Sequence, residues 1–297
     1  MQFFIEVLVA GLLSGVLYSL VALGFVLIYK ASGVFNFAQG AMVFFAALFF
    51  VGFTEVLPRW TGLPVGSSAV FWLAMPLAFF CMVLLAMATE RFVLRSLVNQ
   101  PPITLFMATI GLTYLVEGIA QGVWGANVRG LDLGIEDMPI QWIMDSVGIG
   151  VSQFDVFAAG LAAVLVTVLA LAFQYTKTGR ALRAVADDHQ AALSIGIPLQ
   201  TIWVIVWSVA GFVALVAGLI WGARNGVQFA LTFTALKALP VLILGGLIIG
   251  SSEKLAEVYL GEYVGGGIDS WFPYVLALFV LLVRPHGLFG EKHIDRV

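Results

Sequence analysis

The sequence predicts an all-α fold: a polytopic transmembrane helical bundle of about seven or eight spans, with a broken or re-entrant segment near 238–252. Three observations predict it. Hydrophobic residues make up 61% of the 297 and charged residues only 10%, where a soluble domain carries roughly a quarter charged. Between Ala31 and Thr89 the only charges are Glu55 and Arg59, flanking a proline break at Pro58. Finally, one polar stretch, Thr176 to Asp188, stands out against the apolar remainder. No water satisfies backbone groups inside hydrocarbon, so such runs read as spanning helices.

A crossing needs about 20 apolar residues over a core of roughly 30 Å. The intervals 7–29, 35–53, 68–89, 103–124, 156–175, 199–221 and 264–283 meet that requirement. A helix over 238–252 reaches only about 22 Å at 1.5 Å per residue, so this stretch is expected to re-enter unless Leu236 and Lys254 snorkel. Met1-Gln2-Phe3-Phe4-Ile5-Glu6 lacks a basic n-region, so the first run reads as a retained span. The whole chain, 1–297, is read as one membrane domain with two substantial loops, 125–155 and 176–198. The first mixes glycines, acids and apolar residues and reads as a partly folded cap.

Orientation follows from the cations in short loops. With alternating crossings, Lys30, Arg91, Arg95, Lys177, Arg180, Arg183, Arg284, Lys292 and Arg296 share one side, the cytoplasmic one. The opposite side receives Arg59, Arg129 and Arg224 with Glu55, Asp132, Glu136, Asp137, Asp145 and Asp155. This sets the N-terminus outside and the C-terminus inside, and puts Trp60, Trp124, Trp221 and Trp271 near the outer boundary as an aromatic belt.

Several classes are disfavoured. A net charge of −3 and the lack of a basic cluster argue against a nucleic-acid partner. One cysteine, Cys81, rules out a disulfide framework and a cysteine-built metal site. His189, His286 and His293 have no metal-ligand spacing, so no metal is expected. Catalysis lacks a motif: there is no G-x-S-x-G, no H-E-x-x-H and no phosphate-cradling G-x-x-x-x-G-K-[ST]. The chain is therefore expected not to be an enzyme and to bind no nucleotide or other cofactor itself.

The inner loop reads as a short amphipathic helix or helix pair: Ala181, Leu182, Val185, Ala192, Leu193 and Ile195 alternate with Arg180, Arg183, Asp187 and Asp188. Gly196 and Pro198 supply stops. Such an element either lies in the interface without a partner or docks, its small residues permitting close approach and its charged edge fixing orientation. Asn36-Phe37-Ala38-Gln39-Gly40 puts amides and a glycine between apolar runs, marking either a helix break or a cap on the second span. Thr109, Thr113, Glu117 and Gln121, spaced by four, share a helix face; Glu117 is either functional or an interhelical tie. Arg224 and Asn225 read as interfacial anchors, and Lys237 as a snorkelling side chain.

G-R-A-L-R-A-V-A-D-D followed by A-A-L-S-I-G-I-P closely resembles the cytoplasmic loop of bacterial branched-chain amino acid ABC permeases of the LivH-like type. G-L-L-S-G-V-L-Y-S-L-V-A-L-G-F-V-L-I-Y resembles that family's first span, and V-F-N-F-A-Q-G its N-F-A-[HQ]-G break. A-L-K-A-L, L-G-G and R-P-H-G-L-F-G agree near the end. One departure is visible: where the family continues through a Gly/Pro-containing segment, Leu244-Gly245-Gly246 passes straight to Leu247-Ile248-Ile249-Gly250.

The resemblance implies an inner-membrane permease subunit of an ATP-driven importer, for branched-chain or related amino acids. It implies a second permease subunit, two ATP-binding subunits that use the ATP, and a periplasmic substrate-binding protein. It also implies a coupling role for Gly179, Arg180, Arg183, Asp187, Asp188 and Gly196, and tilts the Asn36, Gln39 and Gly40 break towards the translocation path, with Thr113 and Glu117. Other amino acids, amides and urea remain open as substrates. The rivals are a proton-coupled carrier using Glu117 and an intramembrane enzyme.

Overall fold

The computed structural model describes residues 2–33, 35–97, 100–187, 189–238 and 243–283. Among the described residues the helices are, in order, α1 (Gln2–Ser32), α2 (Gln39–Thr61), α3 (Ser68–Thr89), α4 (Pro102–Trp124), α5 (Gln141–Val147), α6 (Gln153–Tyr175), α7 (Lys177–Asp187), α8 (His189–Ser194), α9 (Leu199–Asn225), α10 (Ala230–Lys237), α11 (Ile243–Val264) and α12 (Phe272–Val283). α3 runs on through a π turn and a 3₁₀ turn to Leu97. Among the described residues there is no strand, only the isolated bridges Arg129–Val227 and Pro139–Ser152.

Six of these helices, α1, α2, α3 with its extension, α4, α6 and α9, are long and apolar enough to cross a membrane. They coincide with the first six predicted spans. The seventh, expected over 264–283, does not form. α11 ends at Val264, Gly265, Gly266 and Gly267 take φ of 92°, 82° and 70°, and within the interval α12 covers only Phe272–Val283, about 18 Å. Successive left-handed residues cannot continue a right-handed helix. Residues 239–242, inside the interval expected to break or re-enter, lie outside the described residues, as do Asp188 and 284–297 with Arg284, His286, Lys292, His293 and Arg296. α11 opens at Ile243 and continues past Ser252 to Val264.

The chain divides into two compact units: 20–136 with 160–239, and 1–19 with 137–159 and 240–297. In the first, α2 and α9 form the buried pair, with α3 and α4 packed beside α2. Their approach is set by a glycine: a Cβ on Gly218 would lie 2.4 Å from the Val43 carbonyl oxygen. α3 presents Val70, Ala74, Ala78, Met82 and Ala86, a buried stripe at every fourth residue, and leaves Trp72, Leu77, Phe80 and Leu84 exposed for lipid. Small residues at helix contacts are how membrane helices gain packing where no hydrophobic force drives association. Trp221 is 7% exposed, so it belongs to this packed interior and not to the expected aromatic belt; Trp60, 82% exposed, fits the belt.

In the second unit, the N-terminal half of α1 runs antiparallel to α11. Phe3 meets the Tyr259 ring at 6.3 Å, and a Cβ on Gly11 would sit 2.6 Å from Ser251 Cα. A Cβ on Gly15 would sit 2.4 Å from the Gly246 oxygen, and one on Gly250 2.5 Å from both the Gly11 oxygen and Gly15 Cα. Gly11-x-x-x-Gly15 therefore packs on Gly246-x-x-x-Gly250, backbone to backbone. Beside this contact the buried Glu253 carboxylate accepts a 3.0 Å hydrogen bond from the Tyr18 hydroxyl. The later part of the outer loop is folded within this unit, through α5 and the Pro139–Ser152 bridge.

Candidate functional site

All the geometry that follows belongs to the first unit. One end of it is basic. There the Trp203 indole donates to the Ala31 carbonyl (3.2 Å) and Arg95 donates to Gln200 (2.8 Å), so Lys30, Arg91, Arg95 and the α7–α8 elbow gather at that end. At the opposite end Arg129 pairs with Glu55, Nη1 lying 2.6 Å from both carboxylate oxygens, and donates to the Trp124 carbonyl (3.0 Å). Next to this pair a cleft of about 450 Å³ is lined by Thr54, Glu55, Arg59, Ser67, Phe71 and Asp132 among others.

The Asn36–Gly40 segment is a helix break. Asn36 and Gln39 are fully buried, and α2 begins only at Gln39 after Ala38, whose N–H donates to Asn36 Oδ1 (3.1 Å). This Asx turn lets a short side chain replace a backbone partner. Asn36 Nδ2 reaches Gln39 Oε1 (3.4 Å), and Gln39 Nε2 reaches the Ala210 carbonyl of α9 (3.5 Å). Gly24 makes room for the amide: a Cβ there would lie 2.1 Å from Gln39 Nε2. Gly40 is buried at the start of α2.

Thr109 of α4 staples the break. Its hydroxyl accepts from the Phe37 N–H (3.1 Å) and lies within hydrogen-bonding distance of the carbonyls of Phe35 (3.1 Å) and Phe106 (2.8 Å). Neither Gly24 nor Thr109 was among the expected path residues; the glycine at midspan and the threonine on the polar face were the available signals. Thr109→Val orphans the Phe37 N–H, so it should cost about 1–2 kcal/mol, measurable as a lowered midpoint of thermal unfolding in detergent.

Thr113 and Glu117 lie on the same buried side of α4, at 4% and 5% exposure. Gln121 does not: it is exposed. Each step of four residues drifts about 40° around a 3.6-residue helix, so three steps carry Gln121 off the buried side. The Thr113 hydroxyl donates back to the Thr109 carbonyl (2.9 Å). Glu117 is faced from α10 by the hydroxyl of Thr232, itself 5% exposed.

The elbow follows from its residues. Thr176 Oγ1 accepts from the Gly179 N–H (3.0 Å), starting α7. A Cβ on Gly179 would lie 2.1 Å from the Phe173 oxygen, so only glycine lets α7 fold back so closely on α6. Arg180 donates to the Tyr175 carbonyl (3.3 Å) and Arg183 to the Gln174 carbonyl (3.0 Å). Cations on the last carbonyls of a helix are favoured by its dipole. Leu182, Val185 and Ala192 are buried where α7 and α8 pack on α9. Leu193 and Ile195, expected on the same apolar face, are instead 53% and 74% exposed. Gly196 takes φ 84° and Pro198 precedes α9, closing the elbow as expected. Asp187 ends α7. Among the described residues no three His, Cys, Asp or Glu side chains converge as metal ligands.

The profile of one protein family, described as branched-chain amino acid transport system permease component, matches residues 7–283. LivH of Salmonella typhimurium, a high-affinity branched-chain amino acid transport system permease protein, is 25% identical, with 99% of this chain and 98% of that protein covered. BraD of Pseudomonas aeruginosa, with the same description, is 22% identical over 99% and 98%. The autoinducer 2 import system permease protein LsrC of Shigella flexneri is 26% identical over 63% of this chain and 56% of its own length. No solved structure matches the chain.

Proposed function

The chain belongs to the branched-chain amino acid transport system permease family, and from that premise we propose how its parts divide the work of an ATP-driven importer. It is a multi-pass permease subunit of the bacterial inner membrane. Its cargo is a branched-chain or related amino acid. A second permease chain completes the pore, and two ATP-binding subunits, which alone hold the nucleotide, act on the α7–α8 elbow through Arg180, Arg183, Asp187 and Asp188. A periplasmic substrate-binding protein delivers at the end that carries the Arg129–Glu55 pair. The N-terminus is periplasmic and the C-terminus cytoplasmic.

The observation that carries this reading is the elbow itself. The amphipathic α7–α8 stretch stands at the basic end of the first unit, its apolar side seated on α9 and its arginines exposed. The positive-inside rule makes that end cytoplasmic. Movement of the elbow would shift α6 and α9 together and switch the pore between inward- and outward-facing states. The chain purified from its native membrane should bring ATP-binding subunits with it, and uptake in the vesicles should require ATP. Uptake by this chain alone, collapsed by an uncoupler, would overturn the proposal in favour of a proton-coupled carrier.

A further inference from the structure

We infer that Glu117 and Thr232 form a cation-accepting station on the translocation path, whose ligand is the primary ammonium group of a zwitterionic substrate. The inference rests on the importer reading above and names its substrate chemistry.

Both side chains are about nineteen-twentieths buried, at 5% exposure each, on α4 and α10 of the same unit. The ion pairs among the described residues are Arg95–Glu90 and Arg129–Glu55, so no described cation neutralises Glu117. Thr232 faces the carboxyl, yet its Oγ1 has no partner within hydrogen-bonding geometry among the described residues. A hydroxyl is both donor and acceptor and is seldom left unmade when buried. The two groups thus confront each other without closing.

The missing element is a cationic donor. A carboxylate held at membrane depth without a counter-charge is costly and marks substrate or ion pathways. An ammonium group supplies that charge and three N–H donors, enough for the Glu117 oxygens and for Thr232 Oγ1 together. A carboxamide or urea brings N–H donors without the charge and leaves the carboxylate uncompensated. Among the substrates left open by the sequence, the station therefore selects amino acids over amides and urea.

The test uses the complete transporter in lipid nanodiscs without ATP and without binding protein, with the thermal unfolding midpoint as readout. Three probes divide the substrate: L-leucine, isopentylamine with only the ammonium, and 4-methylpentanoate with only the carboxylate. The midpoint should rise with leucine and with the amine but not with the acid. Glu117→Gln should abolish both rises, Glu117→Asp should keep a reduced one, and Thr232→Val should weaken the apparent amine affinity by roughly tenfold, the loss of about one charge-assisted hydrogen bond. If Glu117→Gln does not assemble, the Asp and Thr232→Val variants decide alone. An amine response unchanged in these variants, a response to the acid, or an equal response to sodium chloride in place of the amine overturns the station. Wild-type uptake that ignores ATP would sink the importer reading instead, while leaving a Glu117-dependent amine response in place.

Discussion

Gly250→Leu is expected to keep the protein from assembling, while Gly261→Leu on the same helix should be nearly silent. The two positions separate packing from propensity, because both sit in α11 and both gain the same side chain. At Gly250 a Cβ alone would lie 2.5 Å from the Gly11 oxygen, Gly15 N and Gly15 Cα. These are backbone atoms, which cannot swing aside as a side-chain end can. At Gly261 a Cβ meets nothing within 4 Å. Forcing extra volume into a closed contact costs about 1–3 kcal/mol and sometimes more. The opposing helix presents its own Gly-x-x-x-Gly, so the clash falls on the whole crossing. The measurement is membrane accumulation and detergent unfolding midpoint for both variants. Equal behaviour would mean that α1 and α11 do not meet as described. Gly15→Ala should cost nearly as much as Gly250→Ala, and the double variant less than their sum, because both remove one contact.

That crossing also shows where sequence reading stops. Gly11, Gly15, Gly246 and Gly250 carry the helix-packing spacing in plain view, but no local pattern pairs positions more than 200 residues apart. The six spans were legible because hydrocarbon imposes length and apolarity on each helix separately. The break at Asn36–Gly40 was legible for a related reason: two amides between apolar runs have to find partners inside the protein. Their actual partners, Gly24, Thr109 and Ala210, depend on tertiary placement and were not. Gln121 was misplaced by treating a spacing of four as a straight line along the helix. The expected span over 264–283 overlooked three adjacent glycines, whose left-handed backbone ends a helix whatever the hydropathy around it.

Of the elbow, the amphipathic alternation was readable and the anchoring was not. The arginines were expected to serve as the edge presented to ATP-binding subunits. In the structure each also donates to the last carbonyls of α6, Arg180 to Tyr175 and Arg183 to Gln174. These bonds, the Thr176 cap and the glycine approach hold α7 against the end of α6. A docking surface and a fixed joint make different demands, and one residue tells them apart.

Gly179→Val is expected to uncouple transport: uptake should fall at least tenfold (about 1.4 kcal/mol of lost coupling) while the ATP-binding subunits still co-purify and still hydrolyse ATP. The reason is positional. Gly179 is buried on the α6 side of the elbow, so a valine there touches no partner directly. Its Cβ would meet the Phe173 oxygen at 2.1 Å, and α7 would have to lift away from α6 to make room. The exposed edge would remain available for docking, but a push on it would no longer move α6 as a rigid extension. Coupling needs such an element, with two arrangements that both ends can bias. Arg183→Ala removes one of the joint's hydrogen bonds without the clash and should give a weaker version of the same split. Loss of the ATP-binding subunits from Gly179→Val would identify the elbow's inner side as part of the docking surface. Normal uptake would mean that force passes through the apolar seat of Leu182 and Val185 on α9 alone.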